Sequence, residues 1–160
     1  MPRIYLAYGS NMNIKQMARR CPTAKLIGPA ILENYRLEFR GMNGNAVATI
    51  TPEQGSIVPA VLWDLTPEDE RALDRYEGYP FLYHKQDVVA KYKDGYIKAF
   101  VYKMNPGREW GTPSREYYNT IKQGYKTAGH DIEILNAALE YAKKFTREKT
   151  KKHIPVLLDF

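Results

Sequence analysis

Residues Tyr5-Leu6-Ala7-Tyr8-Gly9-Ser10-Asn11-Met12-Asn13 run a strand-like segment into groups that can bind a charge. Gly9-Ser10-Asn11 breaks the strand, and a helix-like segment follows from Asn13. A strand, a Gly/Ser/Asn turn and a helix start together leave unpaired backbone N–H groups. Such a nest binds an anion, commonly a carboxylate or phosphate. Gly9 admits a ligand close to the backbone, and Ser10 and Asn11 add side-chain donors. A lone glycine falls far short of a phosphate loop, so a tight β–α turn with no ligand fits the same residues.

Few other side chains offer chemistry. The histidines at 84, 130 and 153 have no zinc-ligand spacing with one another or with Cys21. His84, between Tyr83 and Lys85 on a predicted strand, reads as a surface or packing residue. Ser10 does not sit in Gly-x-Ser-x-Gly, so it is not the nucleophile of an elbow motif. Cys21 has Arg19, Arg20 and Pro22 beside it, which can lower a thiol pKa, but it reads as a half-buried structural thiol at a helix end. That leaves the carboxylates, and Glu77 differs from the rest. It closes a helix in Leu73-Asp74-Arg75-Tyr76-Glu77-Gly78-Tyr79, at the negative end of the macrodipole. Tyr76, Tyr79, Phe81 and Tyr83 are close enough in sequence to shield it. Both effects raise a carboxyl pKa and suit a general base near neutral pH. The plain alternative is an exposed glutamate at a frayed helix end.

These groups need elements to position them. Residues 3–8 read as a strand, and 13–20 as a short helix with Ile14, Met17 and Ala18 on one face. Gly28-Pro29 punctuates the chain, and 30–39 form a strand with Tyr35, Leu37 and Phe39 on one side. Gly41 to Asn45 turns, 46–51 is strand-like, Pro52 to Ser56 turns again, and 57–65 is an apolar strand. Thr66-Pro67-Glu68-Asp69 starts a helix, with Leu73 and Tyr76 facing inward and Gly78 and Pro80 ending it. Residues 82–92 and 96–104 pair through Lys93-Asp94-Gly95. Ser114 caps a helix from about 115 to 127, ending near Gly129. Asp131 caps another, with Ile132, Leu135, Leu139, Ala142 and Phe145 as a core stripe. The tail from His153 to Phe160 is apolar enough to dock, as an edge strand for example. Strands with helices set between hairpins predict a single α+β domain over 1–160.

Composition narrows the function classes. A chain of 160 residues suits one domain that needs no disulfide or metal staple. One cysteine excludes an intrachain disulfide framework. The absence of a signal-like start or a long apolar run predicts a cytoplasmic protein with no membrane span. The net charge of +6 draws anions, and its excess lies late, at Lys143, Lys144, Arg147, Lys149, Lys151 and Lys152. No nucleic-acid motif surrounds those residues, so they read as a solvated helix face and tail.

Tyr5-x-Ala7-Tyr8-Gly9-Ser10-Asn11, followed by Leu73-Asp74-x-x-Glu77-Gly78, resembles the γ-glutamylcyclotransferase family, which includes AIG2-like and BtrG-like proteins. Ala48-Thr49-Ile50, Val61-Leu62-Trp63 and Pro113-Ser114-x-x-Tyr117 extend the match over residues 5–117. The resemblance implies a small mixed β-barrel with surrounding helices and a cavity holding the loop and the glutamate. It implies that a substrate's α-amine attacks its own γ-glutamyl carbonyl, releasing 5-oxoproline and a free amine, with no cofactor and no metal. In that scheme Glu77 is the general acid/base. Tyr5, Leu6, Ala7, Tyr8, Gly9, Ser10 and Asn11 hold the glutamyl part, and Tyr117 touches the substrate. The implied partner is a small γ-glutamyl compound rather than nucleic acid or membrane, and monomer and homodimer both stay open. A non-catalytic member that keeps the pocket as a binding module is the alternative, although only an enzyme needs a carboxylate at 77.

Overall fold

The computed structural model describes residues 2–152, with side chains for residues 2–147. Five strands, β1 (Arg3–Ala7), β2 (Lys25–Arg40), β3 (Val47–Leu65), β4 (Tyr83–Tyr92) and β5 (Gly95–Met104), close a barrel in the order β1-β3-β2-β4-β5. The barrel is mixed. β1 meets β5 in parallel at Tyr5 and Phe100, and the remaining pairings are antiparallel. The α+β barrel with surrounding helices is therefore observed.

The barrel wall follows the apolar pattern. Leu37 and Phe39 of β2 alternate into the core, and the run Val58–Trp63 of β3 is buried throughout. β3 is buried there because it pairs on both sides: Leu62 lies opposite both Leu6 of β1 and Gly28 of β2. Two predicted breaks are absorbed into these long strands. Gly28, at φ +148°, takes up a register shift instead of ending β2. Residues 53–56, expected as a turn, bulge from β3 opposite Asn34, between the pairs Glu33–Ile57 and Tyr35–Pro52. Asn34 tolerates φ +65°, and its Oδ1 accepts a hydrogen bond from the Gly55 N–H at 3.0 Å. Backbone pairing across the bulges satisfies more groups than an early turn, so the strands run on. The β4–β5 hairpin forms as expected, with Lys93 at φ +52° in its loop.

Four helices dress the described barrel: α1 (Ile14–Arg20), α2 (Pro67–Glu77), α3 (Arg115–Ala128) and α4 (Glu133–Lys152). α2 carries a full capping box. Thr66 Oγ1 accepts from the Asp69 N–H, and Asp69 Oδ2 accepts from the Thr66 N–H. Gly78, at φ +68°, ends it in the left-handed region. Ser114 caps α3, and Gly129 closes it in the same way. α4 packs on β2 and buries Leu135 and Ala142 of the predicted stripe together with Ala138, which the stripe did not include, whereas Leu139 and Phe145 are half-buried and Ile132 precedes the helix. Two predicted faces differ. Of the α1 stripe only Met17 is buried, because the helix is too short to present a second inward turn, and Ile14 and Ala18 face solvent. Tyr76 is half-exposed rather than in the core, where α2 buries Leu73 and Asp69, and its ring lies under the Arg20 guanidinium.

Lys143, Lys144 and Arg147 lie exposed on α4. The side chains of Lys149, Lys151 and Lys152, and the tail from 153 to 160, lie outside the described residues. Among the described residues no helix is long and apolar enough to cross a membrane.

Candidate active site

β1 delivers the chain to one end of the barrel. Beyond Tyr8 the backbone tightens into a 3₁₀ turn over Ser10–Met12. The Met12 N–H bonds to the Gly9 carbonyl at 3.0 Å and the Asn13 N–H to the Ser10 carbonyl at 3.1 Å. The turn's first internal bond therefore begins at Met12, and it leaves the N–H groups of Ser10 and Asn11 unused by the turn itself. Asn13 then caps α1, its Oδ1 accepting from the Gln16 N–H at 3.1 Å. The predicted loop thus has a turn of its own ahead of the helix.

The turn is fastened from two sides. Trp63 Nε1 of β3 donates to the Asn11 carbonyl at 3.0 Å. α3 lies across the turn at Gly124, where a Cβ would fall 2.7 Å from Met12 Cβ. Gly9 has φ −116°, so left-handed backbone does not explain the glycine. A Cβ there would just reach ordinary contact with Ala48 Cβ and the Tyr117 hydroxyl, each at 3.4 Å, on the wall of a cavity, so anything larger than alanine would press on that wall.

That cavity, about 180 Å³, is lined by Tyr5, Tyr8, Gly9, Ser10, Asn11, Glu77 and Tyr117. The structure thus brings together seven of the nine residues expected at a site. The other two, Leu6 and Ala7, are buried in the wall behind it, opposite Leu62 and Val61. The remaining lining comes from Val47, Ala48, Tyr76, Leu82, Tyr83 and Tyr102. Hydrogen bonds set the tyrosines in place. Tyr8 donates its hydroxyl to the Tyr102 carbonyl, Tyr83 donates to the Ala48 carbonyl at 2.7 Å, and Tyr117 accepts from the Ala48 N–H at 3.0 Å.

Glu77 enters from the end of α2, just before the chain turns at Gly78. Asn11 Nδ2 donates to the Tyr5 hydroxyl at 3.0 Å and lies 3.4 Å from Glu77 Oε1. Burial raises the Glu77 carboxyl from 4.5 to about 7, against the opposing pull of the Arg20 guanidinium. The predicted shielding is partly redistributed. Tyr83 and Tyr76 line the cavity, but Phe81 is 87% exposed and neither it nor Tyr79 does. Tyr5, Tyr8, Tyr102 and Tyr117, distant in sequence, supply the other aromatic rings of the wall. Burial pushes the phenols of Tyr5, Tyr8, Tyr83 and Tyr117 up as well, so they stay neutral hydrogen-bonding groups.

Arg20 is the residue that sequence reasoning passed over. From the last turn of α1 its Nη1 donates to Ser10 Oγ at 3.0 Å and to Asn11 Oδ1. Its guanidinium also stacks 3.4 Å from the Tyr76 ring centre. A cation at a helix C-terminus is ordinary in sequence, and nothing in Arg19-Arg20 signals which one folds back. Cys21 is fully buried rather than half-buried, and burial pushes its thiol up to about 11 against the lowering pull of Arg20, as fits a structural position. His84 bonds through Nδ1 to Asn105 Oδ1 at 2.7 Å, and His130 through Nε2 to the Ala60 carbonyl at 2.8 Å, both away from the cavity.

Comparison with known proteins agrees with this architecture. The family model described as γ-glutamyl cyclotransferase, AIG2-like, matches residues 5–125. The chain is similar to a bovine (Bos taurus) protein named γ-glutamylcyclotransferase, at 29% identity over 150 residues, 88% of this chain and 76% of that protein. It is similar to the human (Homo sapiens) protein of the same name at 29% over 139 residues, 81% of this chain and 73% of that one. A solved structure titled γ-glutamyl cyclotransferase superposes with a TM-score of 0.75 at 27% identity, covering 91% of this chain and 87% of that one. With the Gly9–Asn11 turn and Glu77 facing one cavity inside the matched span, the chain belongs to the γ-glutamylcyclotransferase, AIG2-like family.

Proposed function

We infer that the protein is a γ-glutamylcyclotransferase, acting on a small γ-glutamyl compound to release 5-oxoproline and a free amine. The observation that carries this reading is the Glu77 carboxyl, raised to about 7, in the same small cavity as the Ser10–Asn11 turn. A carboxyl poised there is about half ionised at neutral pH, which suits proton transfer in both directions.

The substrate's α-amine arrives as an ammonium. Glu77, ionised, takes one proton and frees the nitrogen lone pair. The nitrogen attacks the γ-carbon and closes a five-membered ring. The carbonyl oxygen gains negative charge, and N–H groups of the turn at Ser10 and Asn11 suit either that oxyanion or the substrate α-carboxylate. The bond from the γ-carbon to the leaving nitrogen then breaks, and Glu77 returns its proton to that nitrogen. Across the reaction two protons leave the α-nitrogen and two reach the leaving amine, the second through solvent. Tyr5, Tyr8 and Tyr117 form a rigid wall that holds the folded glutamyl chain in its attacking pose. Leu6 and Ala7 support that wall from behind.

A panel of γ-glutamyl dipeptides, glutathione and γ-glutamylamines, assayed for 5-oxoproline, tests the reading. Release of 5-oxoproline from at least one class supports it. Tight binding with no turnover across the panel replaces it with a binding module.

A further inference from the structure

Asn11 stands between two groups of opposite need. Its Oδ1 accepts from Arg20 Nη1, and its Nδ2 points to the Tyr5 hydroxyl at 3.0 Å and to Glu77 Oε1 at 3.4 Å. An amide side chain can be turned over, exchanging its acceptor for its donors. In the flipped sense an oxygen would face the Glu77 carboxylate, acceptor against acceptor. Something must hold the productive sense. A guanidinium has donors only, so whatever touches Arg20 must be an acceptor. Arg20 is itself held, by Ser10 Oγ at 3.0 Å and by the Tyr76 ring at 3.4 Å.

We propose that Arg20 is a positioning residue that fixes the sense of the Asn11 amide and thereby turns an N–H donor toward the Glu77 carboxylate. It reaches no reacting atom in this scheme and acts through Asn11. The inference rests on Glu77 being the base of the proposed reaction, but its core, the coupling of Arg20 to Glu77, is measurable without turnover.

The charges around Glu77 make that coupling specific. The groups facing it are phenols: Tyr5 of β1, Tyr8 beyond it, Tyr83 of β4 and Tyr117 of α3, while Tyr102 of β5 lines the same cavity with its hydroxyl donating to Asp74 of α2. Burial pushes all five upward, so they carry no charge at neutral pH. Tyr76 of α2 presents its ring to Arg20. Among the described residues, Arg20 is thus the permanent charge that acts on this carboxyl. Removing Arg20 takes away both the opposite charge and the aligned N–H donor. Both losses disfavour the ionised carboxylate, so its titration moves to higher pH.

The test compares wild type with Arg20→Met, Arg20→Gln and Arg20→Lys. The Glu77 side-chain carbon is followed by NMR across pH, and kcat and KM are measured across the same range. The Met and Gln variants are expected to titrate about one pH unit higher and to lose about fivefold in kcat near pH 7, with KM changing less. Gln fails because it can present an oxygen to Asn11. Lys, a donor-only group, is expected to restore most of the wild-type titration. An unmoved Glu77 titration in folded Met or Gln variants overturns the proposal, whatever happens to activity. Gln matching Lys overturns it too, since an uncharged group that can also accept would then serve as well. A wild type that shows the titration and its dependence on residue 20 but forms no 5-oxoproline refutes the reaction and leaves the coupling standing.

Discussion

Replacing Glu77 by Gln is expected to make the protein inactive and, above neutral pH, more stable. The carboxyl ordinarily titrates at 4.5 and burial raises it to about 7 in the fold. Below 4.5 the group is protonated in both the folded and unfolded chain and contributes no pH dependence. Between 4.5 and about 7 the unfolded chain ionises while the folded one keeps its proton, so stability falls as pH rises through that window. Above about 7 the penalty is complete. At about 1.36 kcal/mol per pH unit, it amounts to roughly 3 kcal/mol. Gln fills the same space and does not titrate. The stability difference between variant and wild type should therefore move by roughly 2–3 kcal/mol in favour of Gln between pH 4.5 and pH 8. With a urea dependence on the order of 2 kcal/mol per molar, the midpoints should separate by about 1 M at the higher pH. Turnover should drop by at least roughly two orders of magnitude, the scale of general-base catalysis. Other titrating groups are common to both proteins and cancel in the difference. Parallel stability curves for the two proteins from pH 4.5 to 8 would refute the burial of an ionisable Glu77, and near-normal turnover in the variant would refute its role as base.

Gly9→Val places branched methyls where the first Cβ already meets Ala48 and Tyr117 at 3.4 Å. The fold should persist and calorimetry should show weaker binding of 5-oxoproline, whereas unchanged affinity would make the loop only a turn. Gly124→Ala forces a Cβ to 2.7 Å from Met12 Cβ and 2.9 Å from the Met12 backbone. Overpacking of this kind costs about 1–3 kcal/mol. Because the push lands on the Ser10–Met12 turn, turnover should fall together with the thermal midpoint, and a stable variant with reduced midpoint but full activity would show the turn to be insensitive to α3.

The parts of this molecule governed by local rules were legible in the sequence. Thr66-Pro67-Glu68-Asp69 announced α2, Gly78 its end, Ser114 and Gly129 the limits of α3, and Leu135 and Ala142 two points of the docked face of α4. The strand break at Gly9 and the carboxylate at a helix end mark two sides of the cavity in the sequence itself. Long-range pairing overrode local punctuation elsewhere. Gly28-Pro29 and residues 52–56 look like turns, but barrel closure threads the strands through them as bulges. Tyr8 and Tyr117 are expected at the site from the family resemblance and Tyr83 from its closeness to Glu77, but their joining with Tyr102 into one wall is not legible, because the four come from separate elements. Phe81 was drawn into the site by its closeness in sequence to Glu77, yet the loop after Gly78 carries it into solvent. Arg20 was missed for a related reason: its meaning lies in a fold-back onto Ser10 and Asn11, which helix periodicity does not encode.

The most direct test of the proposed chemistry is to block the attacking nitrogen. A γ-glutamyl compound accepted by the enzyme is compared with the same compound acetylated at its α-amine, and both products are identified. Intramolecular attack predicts 5-oxoproline from the free amine and no cleavage of the acetylated compound. The rate for the free amine should rise with pH as Glu77 ionises, with an apparent value near 7 rather than 4.5. Release of N-acetylglutamate from the blocked compound, or of glutamate in place of 5-oxoproline from the free one, would show hydrolysis by water and contradict cyclisation.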